Sequence, residues 1–101
     1  AAALLDFPFA YDNDVDQVQD IIQTTADDMR KSKEWSRDMI ADADMWGMQH
    51  ISGEQFVIRV SIRTLPNRQW AVSRELRKRC KQAFDKQNIG LLRASKINMA
   101  K

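Results

Sequence analysis

The chain has few of the residues on which most enzymes and metal proteins depend. Among its 101 residues there are one cysteine, Cys80, one histidine, His50, and three glycines, Gly47, Gly53 and Gly90. A lone cysteine excludes an intrachain disulfide and a cysteine-rich metal site, and a lone histidine excludes a two-histidine metal site. Three scattered glycines leave no phosphate-binding loop. We therefore expect no enzyme, no cofactor and no catalytic or metal-binding residue.

The residues that could carry chemistry have simpler structural interpretations. His50 is expected in a strand near a hairpin, and Cys80 falls in an apolar helix stripe as a small core residue. Asp12, Asp14 and Asp16 alternate as calcium ligands do, but the glycine and closing glutamate of a calcium loop are missing. Acidic residues at a helix N-terminus explain the same spacing without a ligand.

Long hydrophobic runs are also absent. No apolar stretch approaches the roughly 20 residues that cross a bilayer, and the opening segment 1–9 lacks the basic flank of a secretory signal. The sequence predicts a soluble, cytosolic domain, and its apolar start without an initiator methionine favours a fragment of a longer protein. With 44 % apolar and 30 % charged residues, the composition is that of one globular domain.

The small net charge of +2 conceals two halves of opposite sign. Residues 1–50 contain eleven acids and four bases, whereas residues 51–101 contain three acids and twelve bases, giving charges of −7 and +9. Such a division can mark a nucleic-acid surface or two surfaces that attract each other. The simplest interpretation is that neighbouring helices within the domain neutralise one another.

The first half predicts a strand, a helix and an irregular connection. Apolar residues alternate over 5–11, a period of two that indicates a strand with Pro8 on a free side. Asp12 or Asn13 is the expected N-cap of a helix that ends near Lys31 or Ser32. Its apolar stripe contains Val15, Val18, Ile22, Thr25 and Met29. Segment 33–43 is expected to be a short turn that packs the side chains of Trp35, Met39 and Ile40 back onto the rest of the domain.

The second half predicts a hairpin and a second helix. Residues 45–51 form the first strand, with a bulge at Gly47 and a turn around Ser52–Gly53. Residues 56–62 show the clearest alternation in the chain. Asn67 is the expected cap of a helix whose apolar stripe contains Val72, Leu76, Cys80, Ala83 and Phe84. Asn88 suits a left-handed helix end, and a short last strand could begin at Ile89.

This order predicts an α+β, ferredoxin-like two-layer sandwich with the sequence β-α-β-β-α and a final short strand left open. An antiparallel sheet carries both helices on one face. The domain spans residues 1–92, and residues 93–101 form a solvated tail.

A free-standing binding module, for RNA or a small effector, is the alternative function. RNA-binding domains of this fold stack bases on sheet aromatics, and the strand 56–62 presents only Val57, Arg59, Ser61 and Arg63 on its outer face.

Four stretches in chain order resemble the C-terminal cytoplasmic domain of the small-conductance mechanosensitive channel (MscS-type) family. FAYDNDVDQV at 9–18 resembles the family's V-A-Y-x-T-D-x-x-x-V, and FVIRV at 56–60 resembles its apolar strand. QWAVSRELR at 69–77 is similar to its W-x-V-x-R-E-L helix start, and AFDKQNI at 83–89 to its A-F-D-x-x-G-I ending. Asn88 replaces the usual glycine, and 90–93 departs from the family's x-I-P-F-P continuation.

The resemblance implies a specific role. Family members are oligomeric channels, commonly heptamers, of the bacterial inner membrane, and they release ions and small osmolytes on hypo-osmotic shock. This domain would form the lower wall of a cytoplasmic vestibule and border its portals, with other subunits as partners, no nucleic acid and the membrane reached through helices N-terminal to it.

The resemblance and the charge division together predict a candidate site, which is a subunit interface or a portal. Heterologous ring contacts join two different faces of neighbouring subunits, and an acidic helix 12–28 and a basic helix 74–86 could orient them. The candidates are Asp14, Asp16, Trp70, Arg74, Arg77 and Lys78. Trp70 has two interpretations: an interface contact or, favoured here, a staple that holds the helix start onto the sheet.

Overall fold

The computed structural model describes residues 1–91, which form two helices and three strands. The elements are β1 Ala2–Ala10, α1 Val15–Lys31, β2 Asp44–Ser52, β3 Gln55–Arg63 and α2 Gln69–Lys86. Their order and type confirm the predicted α+β, ferredoxin-like arrangement. The predicted solvated tail, residues 93–101, lies outside the described residues.

One antiparallel sheet in the order β1-β3-β2 forms the first layer. β3 is central because it pairs with both β1 and β2. Its alternating side chains are all buried on one face: Phe56, Ile58, Val60 and Ile62. An isolated antiparallel bridge joins Leu91 to Phe9 on β1, at the place where the last short strand was expected to begin.

Both helices cover the same face of the sheet and enclose one core. Phe84 of α2 is its centre: its ring lies edge-on to Phe9 at a centroid distance of 5.1 Å and edge-on to Phe7 at 6.4 Å. The helix stripes supply the other layer, as the apolar spacing predicted, except that Ala26 rather than Thr25 is buried in α1 and that Val15 and Ala83 are only half-buried. The buried helix residues are Val18, Ile22, Ala26, Met29, Val72, Leu76, Cys80 and Phe84.

The strand β2 is irregular, which changes the sides that its residues face. The pairing with β3 shifts register between Met45 and Gly47, as the predicted bulge requires, and again between Met48 and His50. Gly47 has a φ of +85°, a conformation that glycine adopts without a steric cost. Ser52 pairs with Gln55, so the hairpin turn consists of Gly53 and Glu54.

The helix starts differ from the predicted caps. Asp14, not Asp12 or Asn13, caps α1, since its Oδ1 accepts a hydrogen bond from the Gln17 amide at 3.1 Å. Asn13 instead donates its side-chain amide to the Ala10 carbonyl. The prediction for α2 is also wrong, because Asn67 is left-handed at φ 68° and Arg68 occupies the cap position without a side-chain bond.

The connection from α1 to β2 folds back as expected, with one exception. Met39 is buried and Trp35 packs against the core, whereas Ile40 is half exposed. The Arg68–Asp38 ion pair joins this connection to the start of α2. Within residues 1–91, no helix has both the length and the apolarity that crossing a membrane requires.

Candidate subunit-contact surfaces

The two helices occupy opposite sides of the domain. α2 packs over β1, α1 packs towards β2, and the sheet order places β1 and β2 at its two edges. Each helix therefore forms a flank with a different edge strand. Because β1 and β3 are antiparallel, α1 begins at one end of the sheet and α2 begins at the other.

The first surface, which we call the β1–α2 flank, is a shallow groove of about 300 Å³ between the edge of β1 and the start of α2. Its basic side chains are Arg74 and Arg77, and Arg77 also helps to lower the pKa of the nearby Asp6 carboxyl. The carboxamide oxygen of Gln69 is buried there without a hydrogen-bond partner in the described part of the chain. The lining residues are Ala2, Ala3, Leu4, Gln69, Trp70, Ser73, Arg74 and Arg77.

Trp70 lies at this groove and is 61 % exposed. The favoured interpretation, a staple buried on the sheet, is therefore wrong. The reason is helical phase: Val72 and Leu76 point to the core, so Trp70 projects sideways over the strand edge. An exposed tryptophan beside exposed Leu4 remains a candidate contact residue.

The second surface, the α1–β2 flank, lies on the other side. It is acidic towards the start of α1, whereas Arg30 and Lys31 accompany Asp27 towards the end of the helix. Gln19 approaches Gly47, and Gln23 donates to the Ala43 carbonyl, so this stripe of α1 faces β2. Asp16 and Asp27 continue the stripe at helical spacing. Met48 and Ile51 stand exposed beside it on β2. We define the flank by Asp16, Gln19, Gln23, Asp27, Asp44, Met48 and Ile51.

The structure separates the six candidate residues into two groups. Trp70, Arg74 and Arg77 line the β1–α2 flank, and the exposed Lys78 adjoins it one turn after Arg74. Asp14 and Asp16 stand at the start of α1, at the opposite end of the sheet. The Asp14 carboxylate already caps the helix, whereas Asp16 is exposed in the first turn.

The charges of α1 and α2 are not joined by ion pairs in the described structure. Within α2, Glu75 binds Arg79 and Asp85 binds Lys81, and in α1 Arg30 binds Asp42. No salt bridge among residues 1–91 links one helix to the other. The helices therefore do not neutralise each other through contact ion pairs within residues 1–91, and their neutralisation at longer range stays a prediction.

The groove between the helices brings opposite charges near one another without pairing them. Asp20 and Asp28 line one wall, and Arg79 and Lys86 line the other, over a floor that includes Ile21, Thr25 and Ala83. Its open shape and solvated charges provide no enclosed reaction centre. In the described part of the chain, no cluster of three metal-ligating side chains occurs either.

The open face of the sheet contains an aromatic residue that the sequence analysis missed. Trp46, extruded by the first bulge of β2, lies under the Arg59 guanidinium at 5.8 Å and donates its indole N–H to Asp44. The aromatic comes from β2, whereas the analysis of the open face had considered only the strand 56–62. Arg59, however, is bound to Asp6, so the cation beside Trp46 is neutralised rather than free for a phosphate.

Met48, Ile51 and Leu4 were also missed as surface residues. In β2 the two bulges place Met48 opposite Ile58 and Ile51 opposite Phe56, on the side of the sheet that the helices cover, and the second bulge has no glycine to signal it. For Leu4, the signal was present in the alternation of β1, because its neighbours Ala3 and Leu5 are buried and Leu4 must face the other way.

Comparison with known proteins identifies a family over nearly all of the described chain. A family model described as the C-terminal domain of the mechanosensitive ion channel MscS matches residues 3–91. A curated relative, the small-conductance mechanosensitive channel of Caldanaerobacter subterraneus subsp. tengcongensis, is 32 % identical over 87 residues. That match covers 86 % of this chain and 30 % of the relative.

A solved structure shares the fold. The crystal structure of Helicobacter pylori MscS in its closed state superposes with a TM-score of 0.62 at 20 % sequence identity. The match covers 92 % of this chain and 36 % of that chain. The present chain therefore spans about a third of the length of the channels it matches.

Proposed function

Since the chain belongs to the MscS mechanosensitive channel family as its C-terminal domain, we propose that it forms the lower wall of a cytoplasmic vestibule in a tension-gated channel. That channel lies in the bacterial inner membrane as a ring of identical subunits, seven in the form the resemblance implies. It releases ions and small osmolytes on hypo-osmotic shock. The domain borders the vestibule portals and contributes to subunit packing.

The observation that carries this proposal is the extent of the family match. Residues 3–91 include all five elements and the whole described core, so the likeness is to a complete structural unit rather than to one motif. The curated relative, a small-conductance mechanosensitive channel, supports the same role.

The surface supports a packing role. Charges of opposite sign occupy opposite flanks, and large apolar side chains are exposed beside them. The basic charges proposed for contact are Arg74, Arg77 and Lys78, with Trp70 beside them. The acidic charges are Asp14 and Asp16, at the other end of the sheet. Exposed apolar residues rimmed by charges are typical of protein–protein interfaces.

The alternative of an RNA or small-effector module is not favoured. Trp46 is a single aromatic, and its neighbouring cation Arg59 is occupied by Asp6. Nucleic-acid binding of that kind depends on free cations and gives a strong salt dependence.

The test uses the complete channel polypeptide that carries this chain. It is produced in bacteria deprived of their own mechanosensitive channels, and cell survival after dilution into low-osmolarity medium is measured together with tension-activated currents in membrane patches. We expect survival and currents with the native sequence, and loss of both with Leu76→Asp, which places a charge in the core. Gln82→Glu, an exposed change, is the control.

Two results would count against the proposal. The first is a correctly inserted, abundant protein that gives neither current nor survival. The second is salt-sensitive retention of the chain on single-stranded RNA that Trp46→Ala abolishes, which would favour the binding module.

A further inference from the structure

The groove between the two helices has one acidic wall and one basic wall. On α1, Asp20, Thr24 and Asp28 follow each other at intervals of four residues, so all three stand on the same side of the helix. On α2, Arg79 and Lys86 lie two turns apart and line the facing wall. The groove has a volume of about 460 Å³, which is the size of a site for a small molecule.

The charges of the two walls do not bind each other. Among residues 1–91, no salt bridge joins Asp20 or Asp28 to a base, and none joins Lys86 to an acid. Arg79 donates from Nε to Glu75 Oε2 at 2.7 Å, and this bond holds the guanidinium on the basic wall. Both walls therefore keep charges that no contact ion pair across the groove neutralises.

The floor between the walls carries no charge. Ile21, Thr25 and Ala83 form it, and all three are half-buried. The hydroxyl of Thr25 donates to the Ile21 carbonyl at 2.6 Å, so its hydrogen is already used within α1. A ligand that reaches both walls must therefore cross a largely apolar strip.

The balance of charge in the groove selects among ligands. Two acids and two bases line it, so neither a simple anion nor a simple cation is favoured by the groove as a whole. A molecule of zero net charge with an ammonium at one end and a carboxylate at the other is favoured at both walls. Its ammonium donates to the aspartates, and its carboxylate accepts from the lysine and the arginine.

From these observations we propose that the groove binds small zwitterionic amino acids whose ammonium and carboxylate groups are joined by a short apolar chain. The ammonium lies at the acidic wall, the carboxylate at the basic wall, and the methylene groups between them cover the floor. No residue of the groove belongs to either flank, so the site does not compete with subunit packing there. The inference goes beyond the proposed channel function and does not rest on it.

The open shape of the groove makes the binding weak. Exposed ion pairs contribute little free energy each, so a dissociation constant on the order of 10 mM is expected. Salt screens such contacts, and a rise in ionic strength should therefore weaken the binding.

An NMR titration of the nitrogen-15-labelled native chain with 4-aminobutanoate tests the proposal. Saturable shifts of backbone amides are expected within residues 20–28 and 79–87. Butanoate and butylammonium are the matched ligands, because each keeps the four-carbon chain and only one of the two charges. At equal ionic strength each should bind about five-fold more weakly than the zwitterion.

Substitutions remove the charges of one wall at a time. Asp20→Asn with Asp28→Asn should weaken the binding of 4-aminobutanoate about ten-fold, and Lys86→Gln about three-fold, since one base of that wall remains. Asp12→Asn and Lys78→Gln, at exposed positions outside the groove, are the matched controls and should bind as the native chain does. The amide spectrum of each variant without ligand shows whether it is folded.

Three results would overturn the inference. The first is the absence of saturable shifts at ligand concentrations far above the expected constant. The second is binding of butanoate or butylammonium as tight as that of the zwitterion, because one wall alone would then suffice. The third is a shift of the same amides when the chain is concentrated without ligand, because a second copy would then fill the groove.

These outcomes are distinct from those that test the proposed function. A chain that fails to bind the zwitterion still forms the wall of a conducting channel if the function holds. Absence of tension-gated current from an inserted channel contradicts the function and leaves the titration result unchanged.

Discussion

Arg59 donates two hydrogen bonds to the carboxylate of Asp6, from Nε to Oδ1 at 2.8 Å and from a terminal nitrogen to Oδ2 at 3.0 Å. The two residues are direct partners in the β1–β3 register, although 53 positions separate them in the chain. The pair links the chain's N-terminal strand to its central strand on the open face. Its hydrogen bonds lower the pKa of Asp6 and raise that of Arg59.

Asp6→Asn is expected to reduce stability at neutral pH and to have no effect in strong acid. Because the folded-state pKa of Asp6 is lowered, its contribution is complete above the ordinary carboxyl pKa of 3.8 and is lost as pH falls through the lowered value. Urea unfolding of the native chain and the variant at pH 7 and pH 2.5 measures this. Asp12→Asn, which removes an exposed carboxylate outside any described ion pair, is the control.

Phe84→Ala should destabilise the domain by about 3–5 kcal/mol, because it removes a buried ring that contacts both Phe7 and Phe9. Domains of this size have total stabilities of about 5–15 kcal/mol, so this loss is a large fraction of the total. The free energy of unfolding in urea is the measurement. Phe84→Leu, which keeps most of the volume, should lose less, and equal losses would contradict the central place of the ring.

Asp14→Ala should cost about 1 kcal/mol, because it removes the side-chain acceptor of the Gln17 amide at the start of α1. Asp14→Ser keeps the acceptor without the charge and should retain most of the stability. If the subunit contact needs the charge of Asp14 as well, the serine variant will fold normally but assemble poorly. Thermal unfolding and assembly of the complete channel distinguish the two roles.

Asn88→Ala is expected to lower stability by about 1 kcal/mol. Residue 88 has a left-handed backbone, with a φ of +59°, and asparagine adopts this conformation more readily than alanine. Asn88→Gly should be neutral or stabilising, which would agree with the glycine usual in the family at this place. Gln87→Ala, at a negative φ of −97°, is the neighbouring control. Equal unfolding midpoints for Asn88→Ala and native chain would contradict the prediction.

Cys80 should resist thiol reagents until the domain unfolds, since it is fully buried in α2 and burial raises its pKa to about 12. The fold favours the neutral thiol, so this stabilisation is complete below the ordinary pKa of 9.0 and is lost as pH rises towards 12. Across that window the native chain should lose stability steadily relative to Cys80→Ala as the pH rises. Urea titrations at pH 8 and pH 11 measure the difference.

Most of the fold was predictable because its signals are local. The alternation at Phe56–Ile62 predicted β3, and the apolar spacing of Val18, Ile22 and Met29 predicted the buried face of α1. Gly47 and Asn88 marked the bulge and the left-handed helix end, both of which the backbone adopts. The caps were missed by one residue, because Asp12, Asn13 and Asp14 are equally good acceptors in sequence and only the chain path selects one.

The candidate site was predicted in part. Residue type identified Arg74, Arg77 and Asp16 as charged surface groups, but the sequence could not say whether α1 and α2 pair their charges. Of the two interpretations of Trp70, the favoured one, a buried staple, is wrong, and Trp46 was not placed on the open face at all. Both errors arise because a residue's exposure depends on the elements beside it rather than on its own pattern.

The sequence by itself determined the periodic elements, the composition of the core and the division of charge, because each depends on neighbours a few positions apart along the chain. Tertiary structure alone decided that α1 and α2 stand on opposite edges of the sheet, that two bulges set which side of the sheet each residue of β2 faces, and that Arg59 is neutralised by a residue far away in the chain. Side-chain surroundings of this kind are set by strand order and register, and those follow from the packing of the whole domain.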